Sequence, residues 1–106
     1  MSGPYPLSKL EVVVDSESIG VYVLSRGGQH VHYVRRPDAD LRARIRKSAQ
    51  PDSCTYFWFG YESSPMNAYK AECELWHKYQ PPDNLIHPAV PAGANWRCPT
   101  AGCPCP

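Results

Sequence analysis

The sequence predicts a small α+β domain, in which a mostly antiparallel sheet of three or four strands is flanked by helices. Two short apolar segments, Gly20 to Leu24 and Val31 to Val34, are separated by a turn at Gly27-Gly28, which is typical of a β-hairpin. The aromatic segment Cys54 to Tyr61 is apolar on both faces for much of its length, which predicts a core-packed strand. Helical patterns follow both the hairpin and this aromatic strand.

The length and composition indicate one compact domain. The chain has 106 residues, and its hydrophobic fraction is 42%. A chain of this size builds one small core. We therefore predict a folded domain over residues 1–84 and a proline- and cysteine-rich tail over residues 85–106. No apolar run is long enough to span a membrane and no secretory leader pattern opens the chain, so the expected compartment is the cytoplasm.

The segments before the hairpin carry weak signals. Met1 to Ser8 contains two prolines and no periodicity, which predicts a loose arm. Leu10 to Val14 is rich in valine and predicts an additional edge strand. In the hairpin itself, successive side chains point to opposite faces of a strand, so Tyr22 and Leu24 lie on the same side of the sheet.

A first helix is predicted directly after the hairpin. Asp38 or Asp40 can cap its N-terminus, and Leu41, Ile45 and Ser48 then share one face. Arg44 lies beside this apolar face. Helical arginines commonly reach past apolar residues to water, so the pattern alone does not make Arg44 functional.

A second helix is predicted from Ser64-Pro65 to about Tyr79, with Ser64 as the cap and Pro65 at the first helical position. Glu72 falls within an aromatic stripe of this helix, whereas Glu74 points to the opposite side. The other members of the stripe are Tyr69, Cys73, Trp76 and Tyr79. Burying an unpaired carboxylate costs several kcal/mol as an order of magnitude, so Glu72 needs either an arginine partner or a metal ion.

The positive charges are concentrated in one part of the chain. Although the formal net charge is only +1, six of the eleven lysines and arginines lie between residues 35 and 47. A basic cluster beside aromatic side chains is typical of a surface that binds a phosphate backbone, but a solvated helix face has the same composition. The six residues are Arg35, Arg36, Arg42, Arg44, Arg46 and Lys47.

The tail ends in a cluster of cysteines. Residues 81–106 hold seven of the twelve prolines and no helical or strand period. Cys98, Cys103 and Cys105 could bind zinc, with His87, Cys54 or a second chain completing a tetrahedron. Free or crosslinking thiols are the alternative. An odd number of cysteines, five in total, argues against a disulfide framework.

Four short motifs in order resemble the GIY-YIG nuclease family. They are Gly20-Val21-Tyr22, Tyr33-Val34-Arg35, Leu41-Arg42-Ala43-Arg44-Ile45, and Glu72 ahead of Leu75, Tyr79 and Pro81. The similarity covers roughly residues 18–84. It implies a GIY-YIG-like fold and an endonuclease that hydrolyses phosphodiester bonds of nucleic acid, with DNA as the expected substrate.

The resemblance also implies roles for individual residues. Glu72 would bind Mg²⁺ or Mn²⁺, and Arg44 would hold the scissile phosphate through its planar guanidinium. Tyr22 would deprotonate or orient the attacking water, supported by Tyr33. A phenol is a poor base at neutral pH, so this role requires nearby arginines or a metal ion to lower its pKa. The expected substrate-binding cations are Arg35, Arg36 and Arg42.

One position departs from the family pattern. The glycine of the second motif is replaced by Arg35, so a bulky cation stands where the family has no side chain. Two further functions therefore stay open. The chain could bind nucleic acid without cutting it, or it could be a zinc-stabilised protein-interaction module in which the tail is the working part.

Overall fold

The computed structural model describes residues 1–14, 18–36, 40–49, 55–84 and 86–103. Strand β1 is Ser2–Pro6, a 3-10 turn covers Leu7–Lys9, and helix α1 is Leu10–Val13. These are followed by β2 (Gly20–Ser25), β3 (Tyr33–Arg35), α2 (Leu41–Ala49), β4 (Tyr56–Tyr61) and α3 (Pro65–Tyr79). The predicted α+β class is confirmed.

The four strands form one fully antiparallel sheet in the order β1-β4-β2-β3. β2 pairs along its whole length with β4, from Gly20 opposite Tyr61 to Ser25 opposite Tyr56. The two backbones approach so closely at Gly20 that an added Cβ would lie 2.2 Å from the Gly60 carbonyl oxygen. Only glycine fits this position. The aromatic strand is therefore an interior strand, as its composition predicts.

The predictions for the first 14 residues are wrong. Ser2–Pro6 is not a loose arm but an edge strand paired with β4, and Leu10–Val13 is a helical turn rather than a strand. The Val14 amide donates to the Leu10 carbonyl at 3.1 Å, and both side chains are buried in the core. Burial of this apolar pair outweighs the strand propensity of the valines.

The hairpin and the helix that follows it are confirmed, although β3 covers Tyr33–Arg35 rather than the predicted Val31 to Val34. Gly28 takes a positive φ of +81°, which the turn between β2 and β3 requires. Asp40 caps α2 by accepting a hydrogen bond from the Ala43 amide at 3.1 Å. The alternative cap, Asp38, lies outside the described residues.

The core lies between the sheet and the helices. Tyr22 and Leu24 of β2 point towards α1 and α2 and pack with Leu41, Ile45 and other buried residues. On the other face of the sheet, Val21 lies beside the α3 residues Ala71 and Leu75. Phe57 and Phe59 of β4 complete the α2-side core, together with Leu10 and Val14.

Helix α3 begins and ends as its sequence indicates. The Ser64 hydroxyl accepts from the Asn67 amide at 3.1 Å, and Gln80 terminates the helix in a left-handed conformation, with φ +45°. Glu72 and Cys73 are buried, whereas Tyr79 at the end of the predicted stripe is exposed. Among the described residues, no helix combines the length and apolar character needed to cross a membrane.

Candidate functional site

Two tyrosines and an arginine of the hairpin lie on one face at the β3 edge of the sheet. Tyr22 stands opposite Arg35 in the strand register, and the Tyr22 and Tyr33 ring centroids are 6.3 Å apart. The Arg35 Nε donates to the Tyr33 hydroxyl at 2.7 Å. The hairpin therefore holds a phenol and a guanidinium in a fixed relation.

The two arginines of α2 that the resemblance singles out lie in different places. Arg44 is exposed, and its charge acts on the Tyr22 phenol, so Arg44 belongs to this end of the sheet. Arg42 instead donates to the carbonyl oxygens of Val14 at 2.8 Å and Glu11 at 3.3 Å. These contacts join α2 to α1, and the assignment of Arg42 to substrate binding stays a prediction.

The environment of Tyr22 does not favour a phenolate. Its side chain is fully buried, and its hydroxyl is hydrogen bonded to the Ser48 hydroxyl at 2.6 Å. Burial raises the pKa of Tyr22 to about 12, although the Ser48 hydrogen bond and the charges of Arg44 and Arg35 act in the opposite direction. The neighbouring arginines do act to lower this pKa, as expected, but desolvation of the charged form outweighs them, so the net shift is upward.

The raised pKa predicts a loss of stability at alkaline pH. Because Tyr22 has a pKa of 10.0 in the unfolded reference and about 12 in the folded chain, its contribution is complete below pH 10 and is lost as the pH rises. The free energy of unfolding should fall by up to about 1.4 kcal/mol per pH unit on this account. Urea titrations at pH 9.5 to 11 should show a shallower fall for Tyr22→Phe. A constant difference between the two proteins would contradict the prediction.

Glu72 has the arginine partner that its burial requires. Its side chain is 3% exposed, and Oε1 accepts a hydrogen bond from Arg36 Nη1 in a buried ion pair. The second guanidinium nitrogen, Nη2, donates to the Ala89 carbonyl oxygen at 2.8 Å, and the Arg36 Cζ lies 4.9 Å from the centroid of the Tyr69 ring. Arg36 therefore connects the hairpin to α3 and to the tail.

The carboxyl of Glu72 is easier to protonate than an exposed one. Burial raises the pKa of Glu72, and the opposing charges of Arg36 and Arg35 do not fully offset it. Of the two partners expected for the buried Glu72 carboxylate, the structure shows the arginine. Binding of a metal ion by Glu72 stays a prediction.

A cleft runs along the β3 edge and brings Arg35 and Glu72 to a common surface. It has a volume of about 590 Å³. Since Arg35 also bonds Tyr33, it reaches from the tyrosine face of the hairpin to the α3 face. The rest of the wall comes from the segment after α3: Pro82, Asp83, Asn84, Ile86, His87, Pro88 and Ala89.

A second group of chemically active side chains, which we call the His/Cys group, includes His87 of this wall. His77, His87, Cys98 and Cys103 place one donor atom each within 4.8 Å of one another. Such a group can hold a metal ion. Two of the cysteines predicted from the sequence, Cys98 and Cys103, therefore belong to a possible metal site, whereas Cys105 and Cys54 lie outside the described residues.

The hydrogen bonds within the group orient its donors. His87 Nδ1 is 2.9 Å from the Pro88 carbonyl oxygen, and His87 Nε2 is 3.4 Å from Cys103 Sγ. His77 Nε2 is buried and has no hydrogen-bond partner. Burial by itself raises the pKa of the Cys98 thiol, but hydrogen bonds from the Thr100 backbone, His87 and Cys103 outweigh it and lower the pKa to about 6.

Sequence reasoning missed His77 as a possible ligand. The residue sits in the last turn of α3, where histidine is common because a cation interacts favourably with the helix C-terminus. His77 and His87 are ten residues apart, a spacing outside the usual zinc-ligand pairs. The two histidines lie close together because the segment after α3 packs back against that helix.

Comparisons with protein-family models, with curated proteins and with solved structures give no match. The fold and the site define the chain as an α+β domain with a cleft at the sheet edge and a His/Cys group. Membership in the GIY-YIG family, which the sequence motifs suggested, stays a prediction.

Proposed function

We propose that the chain is a small GIY-YIG-like endonuclease that hydrolyses phosphodiester bonds of nucleic acid, DNA in the first place, with a divalent ion. The observation that supports this most directly is the position of Arg35. It bonds the Tyr33 hydroxyl on one side and lines the cleft beside Glu72 on the other. The guanidinium of Arg35 and the carboxylate of Glu72 thus line one cleft, and the phenol of Tyr33 is bonded to that guanidinium.

The cationic residues at this end of the sheet suit a phosphate group. Arg35 offers the cleft a guanidinium, which can donate to two phosphate oxygens at once. Arg44 is exposed on α2 near Tyr22, where it can reach a nucleic acid backbone and stabilise charge that develops on the scissile phosphate. Arg36 takes part indirectly, because its guanidinium holds the Glu72 carboxylate.

Glu72 fits the needs of Mg²⁺ or Mn²⁺. Such ions keep several waters and bind proteins through one or two carboxylates together with substrate phosphate. A single carboxylate in the wall of a cleft of about 590 Å³ leaves room for those waters. When bound, the ion would neutralise charge on the phosphate and on the leaving oxygen.

The tyrosines act as neutral phenols in this proposal. Tyr33, held by Arg35, would orient the attacking water through its hydroxyl. Tyr22 is a positioning residue, since its ring packs beside Tyr33 and its own hydroxyl is bonded to Ser48.

The direct test is cleavage of supercoiled plasmid, branched DNA and structured RNA by the full chain in Mg²⁺ or Mn²⁺. We expect nicked or cut DNA products with either ion and none with excess chelator. Binding without any product under these conditions would contradict the nuclease proposal.

The ion pair between Arg36 and Glu72 favours a second candidate, a domain that binds nucleic acid without cutting it. In this state a guanidinium occupies Oε1, one of the two carboxylate oxygens available to a metal. The proposal predicts binding that weakens steeply with salt, because each phosphate contact releases counterions, and no turnover.

For the His/Cys group we propose zinc. Two thiolates and two imidazoles form a common tetrahedral zinc donor set, and such ligands stand about 3.5 Å apart for a sulfur and a nitrogen. The His87 to Cys103 distance of 3.4 Å is close to this value. Elemental analysis of the purified chain should give one zinc per chain, and Co²⁺ in its place should show thiolate charge-transfer bands.

A further inference from the structure

The wall of the cleft is a short segment tied down at several points. We call residues 82–84 and 86–89 the strap. At its start, the Asn84 side chain donates to the Val34 carbonyl oxygen at 2.8 Å and accepts from the Val34 amide at 3.3 Å. The Trp76 Nε1 donates to the Asn84 carbonyl oxygen at 2.9 Å. These bonds hold the beginning of the strap against β3 and α3.

The later part of the strap and the tail have little apolar burial of their own. Residues 86–103 contain no helix or strand, and Pro88 alone is buried among them. Ile86 in the cleft wall is 85% exposed. Packing of Trp96 against Tyr69, with ring centroids 5.9 Å apart, is one contact that brings this region to α3. A polar, proline-rich segment of this kind needs another source of order.

The four residues of the His/Cys group come from the three parts of the chain that must be held together. His77 belongs to α3, His87 to the strap, and Cys98 and Cys103 to the tail. The buried His77 Nε2 without a hydrogen-bond partner is the atom that an ion would satisfy. The Pro88 carbonyl bonded to His87 Nδ1 leaves Nε2 directed at the group, as in metal-bound histidines.

We infer that one zinc ion, bound by His77, His87, Cys98 and Cys103, fastens the strap and the tail to α3 and thereby builds the cleft wall. This inference rests on the zinc proposal above. It makes residues 86–103 an integral part of the folded domain. It also links the metal to the cleft, because the strap carries the Ala89 carbonyl that accepts from Arg36, the partner of Glu72.

The consequence is that zinc controls the cleft. With the ion bound, His87 is fixed and the strap covers one side of Glu72. Without it, the strap is held at Asp83, which bonds the His32 carbonyl and Arg26, and at Asn84. The Arg36 to Ala89 hydrogen bond then opens, and Glu72 becomes accessible to solvent. The sheet itself needs no zinc, since the core cluster that joins the strands to α2 includes none of the four ligand residues.

The test is amide hydrogen exchange of the full chain with bound zinc and after removal of zinc by a chelator. Metal removal should raise exchange at least about tenfold in residues 86–103, while β2, β4 and α2 keep their protection. The fluorescence of Trp76 should change in the same titration, because its ring lies 5.1 Å from His77 and 5.2 Å from His87.

Matched variants separate the ligand set from simple unfolding. His77→Gln should lower zinc affinity by more than about 100-fold and reproduce the exchange pattern of the metal-free chain. His30→Gln, at an exposed histidine of the hairpin, should bind zinc like the wild type. Protection of β2 and β4 reports that each variant is folded.

The outcomes distinguish this inference from the proposals on which it builds. No zinc in the wild-type chain would overturn both the zinc proposal and the inference. Stoichiometric zinc whose removal leaves exchange in residues 86–103 unchanged would overturn the inference alone. Equal zinc affinity of wild type and His77→Gln would also overturn it, whereas cleavage activity bears only on the nuclease proposal.

Discussion

Replacing Glu72 by glutamine or Arg44 by alanine is expected to reduce nucleic acid cleavage at least about 100-fold in Mg²⁺ or Mn²⁺. Glutamine keeps the size of Glu72 and can still accept a hydrogen bond from Arg36, but it lacks the charge that a divalent ion needs. Alanine removes the exposed guanidinium proposed to stabilise the phosphate. Initial rates of plasmid nicking at matched protein concentrations measure both effects.

The control for this experiment is Glu74→Gln. Glu74 lies on the same helix but is exposed on the opposite side, so its loss changes the net charge by the same amount without touching the cleft. It should retain the wild-type rate. If Glu72→Gln and Glu74→Gln cut equally well, Glu72 has no part in metal binding.

Replacing Arg36 by methionine is expected to destabilise the folded chain by about 3–5 kcal/mol at neutral pH. The substitution leaves the buried Glu72 carboxylate without the guanidinium that pairs with it, and it removes the cation above the Tyr69 ring. Urea unfolding followed by tryptophan fluorescence gives the free energy of unfolding. The loss should exceed that of Arg46→Met, an exposed arginine on α2.

Two further measurements make this prediction sharper. The double variant Arg36→Met with Glu72→Gln should be more stable than Arg36→Met alone, because no unpaired charge remains buried. Acidification should have a similar effect. Burial raises the pKa of Glu72, so the folded state favours the protonated carboxyl, and the deficit of Arg36→Met should shrink as the pH falls. A deficit independent of pH would show that lost packing, not charge, is responsible.

The contact between Arg36 and Glu72 also bears on the two proposed functions. In the binding-only alternative, which does not cut nucleic acid, the pair stays closed and its removal only lowers stability. In the nuclease, Glu72 must exchange part of this contact for a metal ion. The strap contributes to the balance, since Ala89 holds the other nitrogen of the same guanidinium. Zinc at the His/Cys group would therefore act on the carboxylate through two hydrogen bonds.

Local sequence signals predicted the central part of the fold well. The turn at Gly28, the caps at Asp40 and Ser64, and the interior aromatic strand each depend on residues that lie next to one another in the chain. Turn geometry and capping act over three or four residues, so the sequence contains all the information they need. The pairing of Ser2–Pro6 with β4 and the helical turn at Leu10 were not predictable in this way, because core and strand partners from other elements decide them.

Three features can be read from the amino-acid sequence: Glu72 lies within an aromatic stripe of a helix, the cations are concentrated after the hairpin, and a cysteine cluster follows near residue 100. Which of these groups meet in space depends on packing. It placed Arg36 rather than Arg44 against Glu72, turned Arg42 towards α1, and brought His77 to the cysteines of the tail. The physical reason is that an ion pair or a ligand set depends on distances in space, which packing of the helices and the strap fixes after local structure has formed.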